Sequence, residues 1–211
     1  VNEDAYPHLL VNNYNQAFGT RIPPTIENAC KLHVAVMRGA ARNFHKRWGV
    51  AQYIYDPEGM DARGDMTAFK AFYDAGATWF WNWYGWPGLS DAVVPYSYKR
   101  YMADWIRQCQ AANPRRDLQA LLHAARAAIA IPYGDTFSPG PLFGTVWLPL
   151  DRTNPQGKTY REILANAAQE AERYLRAGIA FDVVVDEPAF RKEGYEEIVY
   201  CRADGTVVIE R

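Results

Sequence analysis

The chain alternates short apolar runs with longer stretches in which apolar residues return every three or four positions, and these two periods separate strands from helices. His8 to Val11 is a short apolar run broken by Asn12, Asn13, Tyr14 and Asn15, the pattern of a strand ending in a polar loop. Past Pro23 and Pro24, Thr25 is placed to cap a helix whose inner face would carry Leu32, Val36, Ala40 and Phe44. Trp48 to Tyr55 reads as the next strand and runs out into Asp56, Pro57, Glu58 and Gly59. Met66 to Ala75 is helical, is closed by Gly76, and leads at once into an aromatic strand beginning at Trp79. Tyr98, Tyr101, Met102, Trp105, Ile106 and Cys109 stripe a third helix that stops before Asn113 and Pro114.

Alternating strands and helices mark a parallel sheet whose crossovers lay helices on its faces, so the fold class is α/β. A basic, polar break at Asn113 to Asp117 divides the chain into a unit of β/α repeats, 1–117, and a smaller α/β unit, 118–211. The second unit comprises a buried strand, Ala127 to Pro132, a loop rich in Gly and Pro from Tyr133 to Gly157, and a helix from Tyr160 to Ala177. That helix carries a stripe of Ile163, Leu164, Ala167, Ala168, Ala171, Tyr174 and Leu175 and stops at Gly178. Phe181 to Val185 follows as an apolar strand, and Asp204 and Gly205 turn a hairpin between Glu197 to Arg202 and Thr206 to Glu210.

Sites in parallel α/β proteins lie at the carboxyl ends of the strands, which selects the loops Asn12 to Gly19, Tyr53 to Gly64 and Trp83 to Asp91. The third is the most telling. Trp79, Phe80, Trp81, Asn82, Trp83 and Tyr84 run together, with Trp86 two positions on, and a strand would put Trp79, Trp81 and Trp83 on one face. Flat indole rings match the C–H faces of sugars, and an amide inside the run supplies hydrogen bonds, whereas the plainer reading is an aromatic core strand. The candidate carbohydrate contacts are therefore Trp81, Trp83 and Trp86 for stacking, with Asn13, Asn15, Gln52, Tyr53 and Asn82 as polar partners.

Charge narrows the class of partner further. The net charge of −1, without a long basic run, argues against nucleic acid or an anionic membrane as the main partner. No apolar stretch reaches the roughly 18 residues of a membrane span, and no basic-then-apolar leader opens the chain. Cys30, Cys109 and Cys201 are widely spaced and cannot all pair, which favours a reduced, cytoplasmic setting while leaving secretion open. His8, His33, His45 and His123 show no HExxH or paired spacing, so no metal is expected. The glycines match neither a P-loop nor a dinucleotide fingerprint, and no cofactor is expected.

Arg38, Gly39, Ala40, Ala41, Arg42, Asn43 and Phe44, followed by Lys46, Arg47, Trp48, Gly49 and Val50, resemble the passage into the seventh strand of certain (β/α)8-barrel glycoside hydrolases. The run from Gly76 to Trp83 would then be strand eight. Arg176 to Asp186 is similar to a passage of the glutamine-amidotransferase-like, flavodoxin-like domain that follows the barrel in a family of β-galactosidases, where it serves trimerisation. The resemblance implies a partial (β/α) barrel followed by a small flavodoxin-like domain, with a glycoside bound at the strand ends. None of the three cysteines sits in the elbow of a working amidotransferase, so that domain reads as structural.

Retaining glycosidases need two carboxyl groups about 5 Å apart, which the resemblance puts after strands four and seven. Strand four is not in this sequence. After the would-be strand seven the carboxyl groups at hand are Asp56 and Glu58, the catalytic candidates; each also reads plainly as a solvated loop acid. The expectation is little or no hydrolysis by this chain, and the alternative function is a non-catalytic binding or assembly module with an aromatic surface. Three strands cannot close a barrel that needs eight and about 250 residues. A longer chain, a second chain or a homo-oligomer is expected to complete it. The C-terminal unit is expected to pack on the helix bearing Tyr98, Tyr101 and Trp105, with the sheet edge near His8 to Val11 covered from outside.

Overall fold

The computed structural model describes residues 7–53, 62–83, 96–132 and 150–211. The chain is a mixed α/β protein built on two open sheets, a parallel pair and a four-stranded mixed sheet, with no closed barrel among the described residues.

The first element corrects the sequence reading. Pro7–Phe18 is a helix, α1, with proline at its first position, where the missing N–H has no intrahelical partner to lose. A run of four residues cannot distinguish a period of two from one of 3.6, and the deciding positions come with the longer stretch: Val11, Tyr14 and Phe18 are all buried. Gly19, at φ 70°, ends the helix, and its N–H returns to the Asn15 carbonyl at 2.8 Å.

The second helix, α2 (Ile26–Phe44), starts at Thr25, whose hydroxyl accepts from the Asn28 N–H, and ends at His45 in the left-handed region. The expected stripe of Leu32, Val36, Ala40 and Phe44 does not hold: Leu32 is buried, but Ala40 is exposed and Phe44 is 52 % exposed. Steps of four residues outrun a 3.6-residue turn by about 40° each, so three steps carry the last residue off the face. The helix instead serves two cores. Ala29, Leu32 and Ala35 join the cluster under the larger sheet, while Cys30, Val34 and Ala41 join the cluster under the smaller one.

The smaller sheet pairs β1 (Gly49–Tyr53) in parallel with β2 (Trp79–Trp83), joined through α3 (Ala62–Asp74). Val50 enters the cluster with Trp48, Ala68 and Phe72, and Phe80 stacks on Phe69 of α3 with ring centroids 4.1 Å apart. After α3, Gly76 adopts φ 106°, and Ala77 N–H bonds back to the Phe72 carbonyl. Arg116 donates to the Tyr73 and Ala77 carbonyls and lies 3.6 Å over the Tyr73 ring, pinning that turn. Helix α4 (Tyr96–Ala112) packs on α3 through a face that includes buried Trp105 and Cys109. A short helix, α5 (Leu118–Leu122), capped by Asp117, leads into the larger sheet.

That sheet has the order β4-β3-β5-β6, from β3 (Ala127–Pro132), β4 (Phe181–Asp186), β5 (Glu197–Cys201) and β6 (Val207–Glu210). β3 pairs in parallel with both neighbours, which is why its residues 127–131 are apolar on both faces and buried. The crossover helix α6 (Tyr160–Ala177) opens with a reciprocal capping box between Thr159 and Glu162 and closes at Gly178. Its buried stripe, from Tyr160 through Tyr174, lies on the Ile129, Ile131 and Val199 face together with α1. Among the described residues the C-terminal sheet thus meets α2 along β4, and α1 through α6, whereas α4, on which it was expected to pack, has its main contacts with α3. Helix α4 contacts α3, with Trp105 and Cys109 buried and Ile106 exposed, and no strand edge exists at His8 to Val11, because those residues are helical.

Candidate functional site

Strand alternation divides the β1 and β2 pair into two faces. Val50 and Phe80 occupy the face covered by α2 and α3, and Gln52 and Asn82 fall opposite each other at register positions of that face nearer the carboxyl ends. Gly49, Ala51 and Tyr53, opposite Trp79, Trp81 and Trp83, occupy the other. There Trp79 is 49 % exposed, a large apolar ring facing away from the helices. Gly49 is required beneath it, since a Cβ at that position would collide with the Trp79 ring and carbonyl.

The sequence-derived candidates separate into three groups. Gln52, Tyr53, Trp81, Asn82 and Trp83 lie side by side on β1 and β2, with Gln52 in register with Asn82 and Tyr53 with Trp83. Asn13 and Asn15 lie in α1 rather than in a strand-end loop. Asn13 is exposed on that helix. Asn15 is engaged locally: its amide donates to the Ile22 carbonyl at 2.7 Å, and its oxygen accepts from the Thr20 hydroxyl at 2.8 Å and the Ile22 N–H at 2.9 Å. These three bonds fix the turn that carries the chain from α1 to α2. Asp56, Glu58 and Trp86 lie outside the described residues.

A second constellation escaped sequence reasoning. Arg38 and Arg42, one helical turn apart on α2, are both buried and converge on Asp182 of β4, which is 0 % exposed. Arg38 Nε donates to Asp182 Oδ1 at 2.7 Å and Nη2 donates to the Phe181 carbonyl. Tyr195 donates to Asp182 Oδ2 at 2.8 Å, and Arg42 sits 3.8 Å over the Tyr195 ring while donating to the Ala125 and Glu193 carbonyls. Burial raises the pKa of the Asp182 carboxyl, against the pull of Arg38, Tyr195 and Arg42. Between the arginines, Gly39 lets α2 approach the open edge of β4, because a Cβ would run into the Val183 carbonyl. The helix thereby covers a sheet edge, and Arg38 satisfies the carbonyl of Phe181 at the start of β4. The sequence signal was present: two arginines four apart around small residues are costly to bury and need a carboxylate partner.

The cysteines and His33 are governed by burial. Cys30, Cys109 and Cys201 are free and buried, and burial pushes the Cys30 and Cys201 thiols up to about 12, far from thiolate chemistry. Burial depresses His33 to about 4, so its imidazole is neutral at ordinary pH. No group of three metal-ligating side chains occurs among the described residues, and none of the described helices is long and apolar enough to cross a membrane. Comparison with protein-family models, with curated proteins and with solved structures finds no match.

Proposed function

We propose that the chain is the carbohydrate-binding part of a glycoside-hydrolase-like protein, corresponding to the last β/α units of a barrel followed by a flavodoxin-like or amidotransferase-like assembly domain. The observation that carries this reading is the two-faced β1 and β2 pair. Helices cover its Val50 and Phe80 face, while Trp79 on the opposite face stands half exposed, as the inner face of a barrel would be before the other strands are added. On this reading Trp81, Trp83 and Trp86 stack on sugar rings and Tyr53 bonds hydroxyl groups from the same register face, whereas Gln52 and Asn82 fall at positions of the helix-covered face, and Asp56 and Glu58 are the carboxyl groups next in sequence. Both follow the same strand, and a retaining pair draws its two carboxyl groups from two strands, so this chain binds glycosides without efficient hydrolysis.

Titration with an aryl β-galactoside, read by tryptophan fluorescence, tests the proposal. Saturable binding, weakened at least about tenfold by Trp83→Ala and accompanied by negligible aryl alcohol release, is expected. Absence of binding, or binding indifferent to Trp81→Ala and Trp83→Ala, would refute the carbohydrate reading. Rapid hydrolysis abolished by Glu58→Gln would refute the non-catalytic part.

The exposure of Trp79 also favours a second reading, in which the same bare face docks another chain segment or subunit. Concentration-dependent light scattering that Trp79→Glu abolishes, without any glycoside response, would select it.

A further inference from the structure

Away from the strand ends, a cavity of about 350 Å³ opens between α2, the end of α3 and the turn from α6 into β4. That volume suits a small molecule. Its walls are apolar, from Cys30, Val34, Ala71, Ala75, Leu175 and Ile179, and the Cys30 thiol stays protonated because it is buried. Lys31 and Glu27 form an ion pair at 2.6 Å on the exposed rim and cancel each other's charge.

One wall is different. Arg38, only 6 % exposed, also lines the cavity. Its Nε is taken by Asp182 and its Nη2 by the Phe181 carbonyl, so among the described residues Nη1 is the guanidinium nitrogen without a hydrogen bond. The charge count points the same way, since among the described residues two buried guanidinium groups, Arg38 and Arg42, share the single carboxyl group of Asp182. A second carboxylate would complete the pairing through a charge-assisted bond in a place with little water.

The geometry points to this cavity as a binding site for a small amphipathic monocarboxylate, its carboxylate on Arg38 and its hydrocarbon part against Val34, Ala71, Ala75 and Leu175. The site is separate from the aromatic strand ends and does not depend on sugar binding.

Hexanoate is the test probe, with hexan-1-ol as its neutral counterpart and hexylammonium as its cationic one. Amide shifts of Val34, Ile179 and Phe181 are followed by NMR during titration of the whole chain. Hexanoate should give saturable shifts at millimolar concentration, hexan-1-ol should bind about tenfold more weakly, and hexylammonium should not bind. Ala75→Phe fills the cavity without touching Arg38 or Asp182, and should remove the response in a protein whose spectrum is otherwise native. No saturable shift with hexanoate, equal binding of hexan-1-ol, or a response that survives Ala75→Phe would each overturn the proposal.

Discussion

Replacing Asp182 should be the most damaging single change to a polar group among the described residues. The carboxyl group is fully buried, accepts from Arg38 at 2.7 Å and from Tyr195 at 2.8 Å, and stands 3.6 Å from Arg42. Removing one partner of a buried ion pair costs about 3–5 kcal/mol, because the charge left behind is uncompensated. The arginines retain the Phe181, Ala125 and Glu193 carbonyls, and asparagine would keep one oxygen for Arg38. Asp182→Asn should therefore fall near the low end, about 3 kcal/mol, and Asp182→Ala nearer the high end. Domains of this size have roughly 5–15 kcal/mol to lose, so both variants can still fold. Urea unfolding followed by circular dichroism reads the change as a midpoint lowered by about 1–2 M at unchanged slope. A double variant separates pairing from packing: Arg38→Met with Asp182→Leu should be less destabilised than Asp182→Leu alone, since one buried guanidinium group, that of Arg42, rather than two is then left without its carboxylate. A loss below about 1 kcal/mol for Asp182→Ala, or a double variant as unstable as the sum of its parts, would refute the reasoning.

Two other outcomes follow from burial. Gly39→Ala, which in an exposed helix would gain about 1 kcal/mol of helix propensity, should instead lower stability by about 1–3 kcal/mol, because its methyl group meets the Val183 carbonyl; thermal melting at or above the wild-type temperature would contradict this. His33 is neutral when folded, with its pKa lowered from 6.5 to about 4, so the unfolded chain binds a proton that the folded chain rejects between those values. Stability due to this group is intact above pH about 6.5 and declines as the pH falls toward 4, by roughly 3 kcal/mol in all. Urea midpoints measured across that window should flatten in His33→Leu, and an unchanged slope would show that another group is responsible.

The sequence by itself determined most local structure and the fold class. Gly76, Gly178 and the Asp204 and Gly205 turn mark their boundaries because a left-handed residue or a hairpin is local chemistry, independent of what packs above. The caps at Thr25 and the stripe of α6 are local in the same sense. Parallel pairing of β1 with β2 and of β3 with β4 follows from the helix between them, which the pattern showed. The division of the β1 and β2 residues between two faces was likewise set by strand periodicity, and with it the neighbourhood of Gln52, Asn82, Tyr53 and Trp83.

Tertiary structure decided the rest. A four-residue apolar run at His8 to Val11 fits strand or helix equally, and the buried partners of Tyr14 and Phe18 on α2 and α6 made it α1. The inner face of α2 could not be read from one stripe, because the helix is buried on two sides by cores that are distant in sequence. Arg38 and Asp182 stand 144 positions apart, and a pair so remote leaves no periodic trace. Only the docking of α2 on the β4 edge brings these charges together, and burial there is what turns two ordinary arginines and one aspartate into the polar core of the protein.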